Sequence, residues 1–333
     1  MKILVTSLKI LLIVLLLLVL SAFAFQQIMS LIEYYRYPPT GRFVEANGIT
    51  MHIDCDGERK KPTDPIVLLE PGFSLSGVTW VNVQQLLSSK YRVCSYDRAG
   101  FGWSDTTHST MDANSVAAQL NTLLHEAEES GPYIFVGHSM GGLYGQVFSE
   151  LYSDRVQALV LIDPPSAIYP TGEKKAYFED AQERSAGRLS FASNAAHFGF
   201  TRFIDQFWKP KSMLPENELA TLKSHYANPN HISAMYKQLQ GYTISMKQVK
   251  AVSNLQNIAV MVITAENEIH HLVQYGISKQ DHELLAEKYQ ADLFTVPESD
   301  HYSLTLDYDI AQQMTQMILT WLSGQKPSQA AVN

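Results

Sequence analysis

The residues that most constrain this structure run Tyr133-Ile134-Phe135-Val136-Gly137-His138-Ser139-Met140-Gly141-Gly142-Leu143-Tyr144-Gly145. An apolar, β-prone run ends at Gly137, and apolar residues at helical spacing follow Gly142. The pattern Gly-x-Ser-x-Gly between a strand and a helix predicts a sharp turn that exposes a nucleophilic serine. Such a turn is too tight for side chains at Gly137 and Gly141. Ser139 is therefore the predicted nucleophile, and the Met140 N–H lies at a helix N-terminus, where negative charge is favoured.

Length and composition limit the classes of protein to which this chain can belong. Its 333 residues, 46% of them hydrophobic, are enough to bury a large core. The net charge is -8 without any basic run, so we expect no nucleic-acid partner. Cys55 and Cys94 are too few for a disulfide framework and lack the paired spacing of a zinc site. We expect neither a metal nor another cofactor.

The N-terminal segment is predicted to be a membrane anchor or a signal peptide. Lys2 and Lys9 precede a leucine-rich stretch, and the residues from about 10 to 32 are long enough to span a bilayer. A signal peptide would instead be cleaved near Ala22-Phe23-Ala24. We favour an uncleaved anchor over residues 1–33, because apolar residues continue past that site. The preceding lysines predict that the rest of the chain lies on the extracytoplasmic side, or is secreted if cleavage occurs. Three tyrosines would then lie at the membrane–water interface: Tyr34, Tyr35 and Tyr37.

Beyond this segment, strands and helices alternate along the chain. A β-hairpin is predicted over residues 42–55 around the turn Asn47-Gly48. The wholly apolar run 66–69 is typical of a strand buried on both faces. Further strand and helix patterns recur before and after one long interruption. The alternation predicts an α/β core with a doubly wound, mostly parallel sheet, formed by residues 41–165 and 255–325.

The interruption covers residues 166–254, which lack a convincing buried strand. The segment is polar, aromatic-rich and helical in pattern, and it falls between two strands of the predicted sheet. We predict that it forms a helical cap over the active site; a separate binding module is the alternative. Residues 326–333 are predicted to be a flexible tail. The aromatic residues of the segment include Phe178, Phe191, Phe198, Phe200, Phe203, Phe207, Trp208 and Tyr226.

A serine hydroxyl needs a base to take its proton, and the base needs an acceptor behind it. His301 follows the last predicted strand, from where its ring can reach back over the sheet to Ser139. The acceptor is open among three carboxylates, each in a loop after a predicted strand. Glu268 and Glu266 follow the strand after the interruption, and Asp163 follows the strand before it. We favour Glu268.

The tetrahedral intermediate of acyl transfer also needs hydrogen-bond donors for its oxyanion. One predicted donor is the backbone N–H of Met140, directly after the nucleophile. The second is the N–H of Phe73, because Gly72 permits a close approach of the backbone at that position. The sequence therefore predicts an oxyanion hole made of these two N–H groups.

Together, the Gly137–Gly142 motif, His301 and the loop Asp97-Arg98-Ala99-Gly100-Phe101-Gly102-Trp103-Ser104 resemble the α/β-hydrolase-fold serine hydrolases. The chain is similar to the capped esterase and lipase-like members over about residues 42–323. The resemblance implies an eight-stranded sheet whose second strand is antiparallel. It also places the strands of Cys55 and Cys94 side by side, so that the two could pair in an oxidising compartment.

The resemblance implies a triad of Ser139, His301 and a carboxylate at the Glu268 position, with two departures. Many members have His-Gly before the oxyanion donor, where this chain has Glu70-Pro71-Gly72, and most have Asp where this chain has Glu268. The predicted function is hydrolysis of an ester of an apolar small molecule or lipid through an acyl-enzyme. The alternatives are an amide hydrolase, a C–C bond hydrolase, an acyltransferase with the same triad, or a non-catalytic membrane-anchored binding protein.

Overall fold

The computed structural model describes residues 2–166, 172–203, 213–253, 255–273 and 275–324. The predicted tail at 326–333 lies outside these residues, as do Phe207 and Trp208. The strands are β1 Arg42–Ala46, β2 Ile49–Asp56, β3 Ile66–Glu70, β4 Arg92–Tyr96, β5 Tyr133–His138, β6 Val156–Ile162, β7 Ala259–Asn267 and β8 Asp292–Asp300. The α-helices are α1 Lys2–Arg36, α2 Val81–Leu87, α3 Ala113–Glu126, α4 Met140–Leu151, α5 Gly172–Ala196, α6 Glu216–Ala227, α7 Pro229–Ala251, α8 His270–Val273, α9 Lys279–Tyr289, α10 Ser303–Leu306 and α11 Tyr308–Gly324. Two 3₁₀ helices cover Gly77–Trp80 and Phe200–Phe203.

The strands form one sheet in the order β1-β2-β4-β3-β5-β6-β7-β8. Strand β2 runs antiparallel to both of its neighbours, and every other pair is parallel. Strands β3 and β5 are buried along their whole length, as expected of parallel strands covered on both faces. The predicted eight-stranded, mostly parallel sheet with an antiparallel second strand is confirmed.

The first two strands form the predicted hairpin, and a disulfide bond joins the second to the rest of the sheet. Asn47 and Gly48 have φ angles of 55° and 76°, the positive values that a primed two-residue turn requires. Cys55 and Cys94 lie opposite each other on β2 and β4 and are disulfide-bonded. The pairing that the resemblance suggested is present.

Helices cover both faces of the sheet. Helices α3 and α4 pack on one face, while α2 and α11 pack on the other. Alternate residues of each central strand supply the two cores; Ile66 and Leu68 of β3 face one, and Val67 and Leu69 face the other. The carboxyl ends of the parallel strands therefore meet at a single edge, where the predicted site residues follow β5, β6 and β8.

Helices α5, α6 and α7 lie between β6 and β7, inside the segment 166–254, which we call the insertion. The described residues of the insertion contain no strand. Helix α5 packs along α7, and α7 also contacts α3 and α4 of the sheet domain. A separate cluster of buried apolar residues, including Phe101, Met111, Leu222 and Ile232, joins the insertion to the loop after β4. The insertion is thus packed onto the sheet domain.

Helix α1 is the longest helix, and its length and apolarity are sufficient to cross a membrane. Most of its apolar side chains are exposed. The polar residue Gln26, in contrast, is fully buried, and its side-chain amide nitrogen donates to the carbonyl oxygen of Ala227 at 2.9 Å. The C-terminal part of α1 therefore packs against the insertion, a contact that the predicted span of about 10–32 did not include.

Candidate active site

Ser139 lies at the predicted sharp turn between β5 and α4. Its φ and ψ are 52° and -125°, a conformation that costs energy for a residue other than glycine. The Ser139 N–H donates to the carbonyl oxygen of Ile162 at 2.8 Å, which holds the turn against β6. A Cβ at Gly137 would lie 2.5 Å from the backbone carbonyl oxygen of Gly141. A Cβ at Gly141 would lie 2.3 Å from the backbone carbonyl oxygen of Glu70. Both glycines are therefore sterically required, as the sequence predicts.

His301 is hydrogen-bonded to Asp163 at the same edge of the sheet. The two atoms, His301 Nδ1 and Asp163 Oδ2, are 2.6 Å apart, and both side chains are buried. The other carboxylate oxygen, Oδ1, accepts from the Ala265 N–H at 3.0 Å. Burial alone would raise the pKa of Asp163, but the hydrogen bond and charge of His301, with smaller contributions from His282 and the Ala265 N–H, lower it to about 2. The carboxylate is therefore ionised and holds Nδ1 of His301 in its protonated form, which leaves Nε2 as the acceptor nitrogen.

His138 links the serine turn to the His301 loop. Its Nε2–H donates to the His301 carbonyl oxygen at 2.9 Å, and the two rings are 4.6 Å apart between centroids. Burial, reinforced by the charge of His301, lowers the pKa of His138 to about 3. The ring is therefore neutral at ordinary pH and positions the backbone that carries His301. Sequence reasoning missed this contact; the only signal for it was the place of His138 next to Ser139.

The prediction that Glu268 pairs with His301 is wrong. Glu268 is exposed, and its Oε1 accepts from the Lys279 N–H at 2.6 Å, at the N-terminus of α9. Glu266 is exposed too and accepts from the Glu298 N–H at 2.7 Å. The reason is the order of the sheet: β6, which ends at Asp163, is the direct neighbour of β5, whereas these two glutamates follow or end β7, one strand further away. Of the three candidates, the structure brings only Asp163 to His301.

The predicted oxyanion donors, Phe73 and Met140, both line one pocket with Ser139. Met140 is the first residue of α4, where backbone N–H groups have no partner within the helix. A Cβ at Gly72 would lie 3.1 Å from the Ser139 Cβ, so glycine lets the loop before Phe73 approach the nucleophile closely. This geometry is suitable for two N–H donors beside the serine.

The pocket at Ser139 has a volume of about 210 Å³, and its walls come from both the sheet domain and the insertion. Its exposed surface is mainly apolar, since leucine, isoleucine and aromatic side chains supply most of it. A larger cavity of about 850 Å³ lies between the end of α1, β2 and α6, but Ser139 and His301 are not among its lining residues. Of these two cavities, Ser139 lines only the smaller one, and His301 is among the lining residues of neither. The lining of the smaller pocket includes Phe73, Leu189, Leu239, Tyr242, Leu272 and Ile277.

Comparison with known protein families identifies the family of this chain. Residues 65–268 match the sequence model of the alpha/beta hydrolase fold family, which is more than half of the chain. This chain is an α/β hydrolase. The family that the sequence resembles is thereby confirmed.

Individual relatives of this α/β hydrolase are distant. It is 22% identical over 330 aligned residues to an uncharacterized vacuolar membrane protein of Saccharomyces cerevisiae, an alignment that covers 83% of this chain and 49% of the yeast protein. The chain spans half or less of the length of the curated relatives that match first. Among solved structures, an enol-lactonase from Burkholderia xenovorans LB400 superposes with a TM-score of 0.63 at 16% identity, over 85% of this chain and 100% of the other. A thermophilic esterase from Thermogutta terrifontis does so with 0.63 at 20% identity, over 86% and 98%. These likenesses show the fold.

In this α/β hydrolase a buried arginine holds the loop that carries the predicted oxyanion donor Phe73, a role that sequence reasoning did not identify. The Arg98 guanidinium donates to the Glu70 carboxylate at 2.5 Å and to the carbonyl oxygens of Pro71, Gly72 and Leu75 at 2.6, 2.8 and 3.0 Å. Burial raises the pKa of Glu70, and the Arg98 charge opposes that effect. The Glu70-Pro71-Gly72 sequence, a departure from His-Gly, therefore supplies the anion that retains Arg98 under the loop. The available signal was a pair of opposite charges at the ends of two apolar strands.

Proposed function

We propose that this α/β hydrolase is a serine hydrolase that cleaves an ester of an apolar small molecule or lipid through an acyl-enzyme on Ser139. The observation that carries the proposal is the buried His301–Asp163 hydrogen bond, linked through His138 to a serine held in a strained turn. A backbone conformation of this cost is typical of a functional site.

In the proposed mechanism, Ser139 Oγ attacks the ester carbonyl while His301 Nε2 takes the hydroxyl proton. Asp163 keeps the Nδ1–H tautomer and stabilises the imidazolium that forms. The N–H groups of Met140 and Phe73 bind the oxyanion of the tetrahedral intermediate. His301 returns the proton to the leaving alcohol as the C–O bond breaks, and water then attacks the acyl-enzyme by the same route in reverse.

The apolar lining of the pocket supports an apolar acyl group as substrate. We propose that the insertion acts as a cap, because Leu189 of α5 and Leu239 and Tyr242 of α7 face the same pocket as Ser139. Burial of one methylene group in such a pocket is worth about 0.8 kcal/mol. The acyl-chain preference of the enzyme would then be set jointly by the sheet domain and the insertion.

We further propose that α1 anchors the protein in a membrane, with the hydrolase domain on the extracytoplasmic side. Its apolarity and a membrane-protein relative support the membrane. The orientation rests on Lys2 and Lys9 ahead of the apolar stretch and on the Cys55–Cys94 disulfide, a bond typical of oxidising compartments. Secretion after cleavage near Ala24 is the alternative, and the intact mass of the purified protein distinguishes the two.

The proposed function is tested by hydrolysis of p-nitrophenyl esters of increasing chain length. Ser139→Ala should lose at least about three orders of magnitude in kcat. Ser149→Ala is the matched control, because Ser149 is also a buried serine of the same region, on α4, and its hydroxyl has no hydrogen-bond partner. Near wild-type turnover in Ser139→Ala, with Ser149→Ala equally active, would contradict the mechanism.

A further inference from the structure

The insertion exposes a group of phenylalanines next to α1. Their exposed fractions are 66% for Phe191, 45% for Phe198, 48% for Phe200 and 80% for Phe203, and we call them the aromatic patch. The rings of Phe191 and Phe200 are 6.1 Å apart. Exposed apolar groups that cluster in this way mark an interaction surface rather than ordinary solvent-facing protein.

The patch is fixed to α1 by ring contacts and by a polar clamp. Phe198 lies 6.4 Å from Phe23 of α1, between ring centroids. Arg202, inside the patch sequence, donates to the Gln26 side-chain oxygen at 2.8 Å and to both oxygens of Glu33 at 2.5 and 2.9 Å. The position of α1 in a bilayer therefore sets the position of the patch.

The length of α1 gives that position. Its 35 residues extend about 52 Å at 1.5 Å per residue, whereas a bilayer core is about 30 Å thick, or about 20 residues. Counted from Ile10, the first residue after Lys9, the core ends near Met29. Phe23 and Phe25 then lie about 5–10 Å inside its outer boundary, while Glu33 lies beyond it.

We infer that the aromatic patch inserts into the outer part of the same bilayer leaflet from which α1 emerges. A depth of about 5–10 Å is typical of protein segments that lie in the membrane interface. The two long polar side chains at this level have partners: Arg202 is paired with Glu33, and the buried Gln26 amide contacts Ala227 and Arg202. The small Thr201 hydroxyl is buried without a hydrogen-bond partner. Lipid contact requires such pairing, since polar groups without partners are costly in hydrocarbon. We favour lipid over a protein partner, because the patch lies at the depth of the lipid acyl chains, where a partner protein would itself have to enter the bilayer.

The patch adjoins the pocket at Ser139. Leu189 lines the pocket and Phe191 belongs to the patch, and both are on α5, two residues apart. Helix α5 thus connects the membrane-facing surface to the pocket wall. If the proposed function holds, the substrate is an ester that is dissolved in the bilayer, and it reaches Ser139 past α5.

Depth-dependent quenching tests the inference on the full chain reconstituted in phosphatidylcholine nanodiscs. Phe200→Cys and Phe203→Cys each introduce one reactive thiol, because Cys55 and Cys94 are paired. Each thiol carries an NBD fluorophore, and quenching by nitroxides on the lipid acyl chains is compared with quenching by aqueous iodide. Leu151→Cys is the control: it is 52% exposed and is the last residue of α4, at the end of the helix opposite Ser139.

If the patch enters the bilayer, the probes at 200 and 203 are quenched several-fold more by the nitroxide lipids than the probe at 151. The same two probes are quenched less by iodide than the probe at 151. Equal quenching by iodide at all three positions would overturn the inference. Protection from both quenchers would overturn it too, since a protein would then cover the patch. Phe200 and Phe203 are 48% and 80% exposed and belong to none of the buried apolar clusters, so neither substitution removes core packing. The assay does not involve catalysis, and its failure would leave the proposed ester hydrolysis intact.

Discussion

Replacement of Asp163 by asparagine separates its role from that of Glu268. Both Asp163 oxygens act as acceptors, Oδ1 for the Ala265 N–H and Oδ2 for His301 Nδ1. Asparagine has one acceptor oxygen, so when it serves Ala265 its NH₂ group faces His301. That donor requires an unprotonated Nδ1 and moves the ring proton to Nε2, where it prevents His301 from accepting the proton of Ser139.

We expect Asp163→Asn to lower kcat by about 10⁴-fold, the cost of the wrong histidine tautomer, which corresponds to about 5.5 kcal/mol. Glu268→Gln is the matched control, because its exposed side chain can still accept from the Lys279 N–H. That variant should keep kcat within about twofold. The assay is steady-state hydrolysis of p-nitrophenyl butyrate by the full chain. The reasoning is refuted if Glu268→Gln shows the large loss and Asp163→Asn stays near wild type.

Three other predictions follow from the same contacts. Arg98→Met should destabilise the fold by about 3–5 kcal/mol, because Glu70 becomes an unpaired buried charge, and adding Glu70→Gln should recover much of that loss in denaturant unfolding. Since the pKa of Asp163 falls from 3.8 to about 2 on folding, its ionised form stabilises the protein above pH 4 and this contribution is lost as the pH falls toward 2. The Tm difference between wild type and Asp163→Asn should therefore shrink over that range; a constant difference would show that the carboxylate does not titrate with folding. Shortening the acyl chain of the ester by one methylene should lower kcat/KM by up to about fourfold, and no chain-length dependence would contradict an apolar pocket.

The serine turn and the sheet could be predicted because their physical requirements are local. Gly137 and Gly141 are required by contacts within a few residues or at the adjoining strand end, and a wholly apolar run such as 66–69 is typical of a strand covered on both faces. The hairpin turn at Asn47-Gly48 is encoded by two residues. Such signals survive in a single sequence.

The acid could not be chosen from the sequence because it depends on which strands are neighbours. Asp163, Glu266 and Glu268 all lie at or after strand ends on one edge, and only the order β5-β6-β7 shows that Asp163 is nearest to the nucleophile. The role of Arg98 was missed for the same reason, since its partners belong to a loop after another strand. Gln26 and Glu33, polar residues within an apolar helix, were the sequence signals that the end of α1 contacts protein.

The most direct test of the central claim is to map the residue that a fluorophosphonate labels in the full chain. An activated serine reacts, and peptide mass spectrometry identifies it. The proposed mechanism predicts a single phosphonylated residue, Ser139, with labelling strongly reduced in His301→Ala and unchanged in Ser149→Ala. An unlabelled Ser139 in folded wild-type protein that hydrolyses esters, or labelling that does not depend on His301, would contradict it.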